Sequence, residues 1–194
     1  MLKFALIIGS TRPNRFADYP ARWVLDRART HGGFELDALD LREQALPFFD
    51  EPVSPAMSRG QFANPAAQAW DAKLCAYDGF IITAAEYNHG MTAVLKNALD
   101  SAFNGWKNKP VAFVGYGGVG GARAIESLRL SVINLQMAPI GAAVHIPLLV
   151  YLSVLKEGAA LASFAYLNES LSGVFKQLMW WAEALKTARA KQES

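Results

Sequence analysis

The 194-residue chain has few of the residues from which covalent staples and metal sites are made: one cysteine and three histidines. Cys75 alone forms no internal disulfide, and a chain of this length buries well over half of its unfolded surface without one. No His or Cys shows metal-ligand spacing, so no metal is expected. An excess of one charge is lacking too, with 19 Lys and Arg against 17 Asp and Glu, a net charge of +2. Coating a phosphate backbone needs a basic excess for counterion release, so no nucleic-acid partner is expected. The balance weighs equally against an acidic electron carrier or a disordered acidic module. A membrane span is missing as well. The one sufficiently long apolar stretch, Ala138 to Leu155, is interrupted by Pro139, Gly141, His145 and Pro147. It reads as a strand followed by an apolar connection. The apolar run at residues 3–8 is too short for a signal peptide and reads as a buried strand. No membrane partner and a reducing, cytoplasmic setting are the expectation. There is no Gly-x-Ser-x-Gly elbow and no Gly-Lys-Ser/Thr ending, which weighs against a serine hydrolase and a Walker A loop.

What is present is alternation. Apolar runs of strand length fall at Phe4–Ile8, Phe34–Leu39, Gly79–Thr83, Val111–Val114 and Ala142–Ile146. Helical patterns lie near 16–30, 64–76, 91–103, 120–137 and 168–189. The first, third and fourth runs are apolar almost throughout, as parallel strands covered on both faces are. Five strands alternating with five helices predict a single α/β domain over residues 1–194. Its sheet is doubly wound, five-stranded and parallel, in the order 2-1-3-4-5. Ligands of such sheets bind beyond the carboxyl ends of the strands. The long stretch from Leu41 to Phe62, with three prolines, reads either as a functional loop over that edge or as a surface excursion.

Three loops follow the relevant strands. In Gly9-Ser10-Thr11-Arg12-Pro13-Asn14-Arg15-Phe16, hydroxyls and N–H groups at a helix start favour an anion, and Arg12 and Arg15 carry paired donors for a phosphate. The alternative is two solvated arginines beside a capped turn. In Ala84-Ala85-Glu86-Tyr87-Asn88-His89-Gly90, Tyr87 can stack on a flat ligand and Asn88 offers donor and acceptor. Glu86 can accept from a ring N–H or a hydroxyl, or cap the next helix. His89 is an acid–base candidate or a hydrogen-bonded structural residue. Five of the 15 glycines fall in Gly115-Tyr116-Gly117-Gly118-Val119-Gly120-Gly121. These literally satisfy G-x-G-x-x-G, but after the fourth strand and with no carboxylate at the end of the fifth. A bare backbone for a flat ligand is the better reading of them than a dinucleotide fingerprint.

Taken together, several motifs resemble the NADPH-dependent FMN reductase family. They are Gly9-Ser10-x-Arg12-x-x-Arg15, Glu86-Tyr87-Asn88, Leu95-Lys96-Asn97-Ala98-Leu99-Asp100, Lys109-Pro110-Val111 and Gly115-Tyr116-Gly117-Gly118-x-Gly120-Gly121-x-Arg123-Ala124. These are flavodoxin-like flavoproteins that include quinone, azo-dye and chromate reductases. The resemblance spans residues 1 to about 147. It implies FMN with its phosphate on Ser10, Arg12 and Arg15 and its ring against Glu86, Tyr87, Asn88 and the Tyr116-Gly117-Gly118 backbone. Phe16 and Ala85 complete the implied cofactor set. NADPH or NADH would be the donor, and a small molecule such as a quinone, flavin or azo compound the acceptor. The cofactor would carry the chemistry, with no catalytic protein residue required. Ala84 and Ala85 stand where the family has Thr-Pro, and Thr92 where a second Pro is common. A flavin-binding, redox-responsive module with little turnover is the alternative function. The resemblance also implies a homodimer or homotetramer, with Ala138–Leu155 and a C-terminal helix bearing Trp180 and Trp181 as candidate interfaces. The other reading of the two tryptophans is that they complete the monomer core.

Overall fold

A computed structural model describes residues 1–58 and 60–193. The element order is β1 (Leu2–Ile8), α1 (Asp18–His31), β2 (Phe34–Asp40), α2 (Pro65–Cys75), β3 (Gly79–Ala85), α3 (Ala93–Asp100), β4 (Pro110–Tyr116), α4 (Ala122–Asn134), β5 (Ala138–Ile146), α5 (Leu148–Glu157) and α6 (Ala165–Glu193). The five strands form one parallel sheet in the order β2-β1-β3-β4-β5, as expected. β1, β3 and β4 are apolar because both faces are covered: every residue of β3 and β4 is buried. One core lies between the sheet and α1, α5 and α6, the other between the sheet and α2, α3 and α4.

Local chemistry sets several boundaries. Asn64 caps α2 by accepting from the Ala66 N–H at 2.9 Å, with Pro65 following as the first helical residue. α4 starts from Gly121, whose φ of 73° places it in the left-handed region. A Cβ there would lie 2.6 Å from the Tyr116 nitrogen, so only glycine lets the helix begin this close to β4.

The structure departs from expectation at strand and helix ends. β3 runs on to Ala85 and β4 to Tyr116, pairing Ala84 with Gly115 and Ala85 with Tyr116. β5 begins at Ala138, four residues early. The apolar connection after it is a separate helix, α5, with Pro147 immediately before its first residue. Trp180 and Trp181 do not complete the core: they are 64% and 37% exposed. No helix among the described residues is long and apolar enough to cross a membrane.

Candidate functional site

The loop between β1 and α1 is suspended from two neighbours. The Gly9 N–H donates to Thr83 Oγ1 of β3 at 3.1 Å, and Thr92 Oγ1, the cap of α3, donates to the Gly9 carbonyl at 2.5 Å. Ser10 is buried, with its Oγ 3.2 Å from the Tyr87 hydroxyl of the second loop. Beyond it the main-chain N–H groups of Thr11, Arg12, Asn14, Arg15 and Phe16 donate to no group among the described residues. The exposed Arg12 guanidinium likewise has no hydrogen-bond or ion-pair partner among them. Unpaired donors at a helix entrance make an anion cradle.

Arg15 is placed quite differently from Arg12. Its side chain is 3% exposed, and its donors are all engaged within the protein. Nε donates to Asp18 Oδ1 at 2.8 Å, Nη1 to the Ser10 carbonyl at 2.6 Å and to Asp40 Oδ1 at 2.7 Å, and Nη2 to Asp40 Oδ2 at 2.5 Å. Nη2 also lies 2.6 Å from Asp18 Oδ1. A guanidinium has five N–H donors, and these contacts leave none for a phosphate. Burial alone would raise the Asp40 carboxyl pKa, but hydrogen bonds from Arg15 and the Arg42 N–H hold it below the ordinary carboxylate value. Phe16 contributes to the loop a main-chain N–H that is free among the described residues, while its side chain turns inward. Its ring is buried 4.3 Å from that of Tyr151 and 5.2 Å from that of Tyr116, so it lies beneath the loop as support.

In the second loop, Ala85 is a buried strand residue, so the Ala84-Ala85 departure lies inside the sheet. Tyr87 and Gly90 exchange main-chain hydrogen bonds of 2.9 and 3.0 Å around Asn88 and His89. Both central residues have positive φ, 49° and 70°, the signature of a type I′ turn. This exposes Asn88 and leaves Tyr87 39% exposed. Glu86 caps a helix, but it is α4 rather than the next one, α3. Its carboxylate accepts from the Arg123 N–H at 3.1 Å and from Arg123 Nε at 2.5 Å, and Arg123 Nη1 lies 2.9 Å from His89 Nε2. Burial would raise the Glu86 carboxyl, and the Arg123 hydrogen bonds instead hold it below its usual value. His89 is thereby held as a hydrogen-bonded structural residue.

The third loop meets the second directly. Glu86 N–H donates to the Tyr116 carbonyl at 3.1 Å, and a Cβ on Gly117 would stand 3.1 Å from the Glu86 Cβ. Gly118 faces open space, with nothing within 4 Å of where its Cβ would be. Tyr116 is 5% exposed, and its hydroxyl is the one buried side-chain polar atom without a partner among the described residues. Burial, then the neighbouring Tyr87, push that phenol above its ordinary pKa.

A cleft of about 400 Å³ is lined by Ser10, Thr11, Arg12 and Tyr87 together with the apolar Leu46, Phe48 and Val94. The stretch after β2 that the sequence left open forms its apolar wall. Asn97 of α3 pins this strap: its Nδ2 donates to the Pro47 carbonyl at 2.8 Å, and its Oδ1 accepts from the Phe49 N–H at 2.9 Å. The Glu51 carboxylate holds the far end, accepting from Ala63 and Asn64 N–H groups at 2.8 Å each. Ser10, Arg12, Tyr87, Asn88, Gly117 and Gly118 are therefore gathered on one edge. Asp40 and Arg42 are partners that the sequence reading missed, and Arg123 stood in it only as a motif residue, without its partner Glu86. The available signal was the carboxylate ending β2 beside the arginine-bearing loop. No cluster of three or more His, Cys, Asp or Glu able to hold a metal occurs among the described residues.

Comparison with known proteins places this geometry. Residues 2–148 match the model of the family described as NADPH-dependent FMN reductase. An NAD(P)H-dependent FMN reductase of a Nectria species is 36% identical over 194 residues, covering 96% of this chain and 90% of the relative. A 2-hydroxy-1,4-benzoquinone reductase of a Burkholderia species is 31% identical over 135 residues, 66% of this chain and 68% of its own. Among solved structures, the flavoenzyme NAD(P)H:(acceptor) oxidoreductase FerB of Paracoccus denitrificans superposes with a TM-score of 0.71 at 20% identity, over 95% of this chain and 98% of that one. A flavodoxin mutant from Pseudomonas aeruginosa shares the fold at a TM-score of 0.51 and 15% identity, covering 88% of this chain and 99% of its own. With its matched segment, its sheet order and its three converging loops, the chain belongs to the NADPH-dependent FMN reductase family.

Proposed function

We propose that this chain is an FMN-dependent NAD(P)H oxidoreductase that reduces a small, flat acceptor of the quinone or azo class. The observation that carries the site assignment is the set of unpaired donors in the first loop, five main-chain N–H groups and the Arg12 guanidinium. A phosphomonoester is a dianion whose oxygens match such a set. The unpartnered Tyr116 hydroxyl and the open face at Gly118 fit the same group, since one needs a polar partner and the other leaves room for a flat one. When bound, FMN supplies the hydride and electron chemistry.

The protein's own part is binding and orientation. Ser10 Oγ and Arg12 hold the phosphate. The type I′ turn presents Tyr87 and Asn88, and the Gly117–Gly118 main chain offers N–H groups to a ring edge, where they stabilise negative charge. Leu46, Phe48 and Val94 give the cleft an apolar stretch of lining. No side chain is required as acid or base.

Two further parts of the proposal concern setting. A homodimer or homotetramer forms through α5 and α6, where Leu149 and Trp180 are 81% and 64% exposed. A cytoplasmic location agrees with one unpaired cysteine. The visible absorbance spectrum of the purified protein, before and after anaerobic NADPH, tests the central claim. Flavin bands that bleach support it. Protein that lacks flavin and fails to bind added FMN overturns it.

A further inference from the structure

Arg15 has a role that its motif does not suggest. We infer that the Arg15 guanidinium, held by Asp40 and Asp18, is a positioning group that never touches the phosphate and instead fixes the curvature of the loop that does. This rests on the FMN reading above.

Three independent features carry it. The first is saturation: Nε, Nη1 and Nη2 are all engaged by two carboxylates and one carbonyl, and the side chain is 3% exposed. The second is the identity of that carbonyl. Arg15 Nη1 grips Ser10 O at 2.6 Å, and Ser10 is the residue where the free N–H groups begin. Turning that carbonyl down toward the guanidinium turns the Thr11 N–H of the same peptide unit the opposite way, because C=O and N–H of a trans peptide are fixed antiparallel in one plane. The third is a parallel tie. Arg42, just beyond β2, donates from Nη2 to the Arg12 carbonyl at 2.5 Å while its own N–H donates to Asp40 Oδ1 at 2.9 Å. Two carbonyls of the anion loop are thus held from β2 by one carboxylate and its two arginines. Arg12, by contrast, is left with its guanidinium unpartnered. The two arginines of the motif divide the work, one binding and one shaping.

This assignment makes a prediction opposite in sign to simple electrostatics. Asp40 is a negative charge close to a site for an anion. If charge alone mattered, Asp40→Asn would tighten FMN binding, both by removing repulsion and by freeing Arg15. If Asp40 acts through geometry, the substitution weakens binding, because the Asn amide N–H₂ opposes a guanidinium N–H where an oxygen stood. The experiment is fluorescence titration of apoprotein with FMN and with riboflavin, for wild type, Asp40→Asn and Arg15→Lys, with thermal melts of each apoprotein. The expected result is FMN affinity reduced about ten- to a hundredfold in both variants, the scale of one charge-assisted hydrogen bond. Riboflavin, which has no phosphate, should change little, so the FMN-to-riboflavin ratio collapses. A loss of fold would lower both affinities and the melting temperature together. Should Asp40→Asn fail to fold, Asp18→Asn, at a half-exposed site on the same guanidinium, predicts the same sign with a smaller factor. Unchanged or tighter FMN binding in a folded Asp40→Asn or Asp18→Asn variant overturns the positioning role. Full FMN affinity in Arg15→Lys overturns it too, since lysine keeps the charge but its single nitrogen cannot reproduce the paired Nη1 and Nη2 grip on Asp40 together with the contacts to Ser10 O and Asp18. Failure of the wild type to bind FMN is a different result, and it removes the cofactor reading itself.

Discussion

In the proposed function, cofactor affinity turns on the unpaired guanidinium of Arg12. It is exposed, makes no ion pair among the described residues and stands beside free main-chain donors. Arg12→Ala should therefore cost no folding stability but should weaken FMN about ten- to a hundredfold relative to riboflavin, as titration of the two ligands will show. Equal weakening of both would remove the phosphate assignment. The sequence displayed Arg12 and Arg15 as equivalents in one loop, and at that level they are. What separates them is two carboxylates, one three residues downstream and one 25 residues away at the end of β2. Only folding brings the second alongside. Glu86 shows the same limit, since the residue it caps lies 37 positions later. The placements of Ser10 and Gly118 were legible because they are local: a hydroxyl at a helix entrance, and a backbone without a Cβ facing open space.

Elements were legible where hydrophobic period alone decides them. All five strands lie where apolar runs predicted, and the errors are at their ends. Ala84 and Ala85 look like loop residues by composition, yet β4 offers them a ladder and they extend β3. Pro147 looked like an interruption, but it precedes the first residue of α5, where a proline ring costs nothing. Thr92 is the element-scale device that composition could not show. One hydroxyl accepts from the Leu95 N–H at 3.2 Å, capping α3, and donates to the Gly9 carbonyl, tying that helix to the first loop. Thr92→Ala should cost about 1–2 kcal/mol in chemical denaturation, the range for a lost cap. Thr92→Ser, which keeps the oxygen, should recover most of it.

For the whole molecule, strand order followed from right-handed crossovers, and the structure has that order. One source of the fold's pH response lies far from the site, at Lys109, just before β4. This side chain is buried, its Nζ donates to the Leu74 carbonyl at 2.9 Å, and burial lowers its pKa to about 8. The unfolded chain returns it to the ordinary lysine value near 10.5. Between those two values the unfolded state binds more protons than the native one, so this group makes stability rise with pH across that window. Below pH 8 both states carry the proton, and its penalty is constant. Melting temperatures of wild type and Lys109→Met from pH 7 to pH 10 check this: the wild type should gain stability relative to the variant as pH rises. A constant difference would mean that Lys109 titrates normally in the fold.

The strap along the cleft gives a way to watch the site without a ligand. From Pro47 to Phe49 its main chain is held by one amide group, that of Asn97. In heavy water the Phe49 amide should therefore retain its proton longer than those of Phe48 and Asp50, which donate no hydrogen bond among the described residues. That single slow-exchanging position reports how often the strap lifts from α3. Its exchange rate gives the opening equilibrium of the cleft wall, and in an Asn97→Ala variant the contrast between Phe49 and its neighbours should vanish.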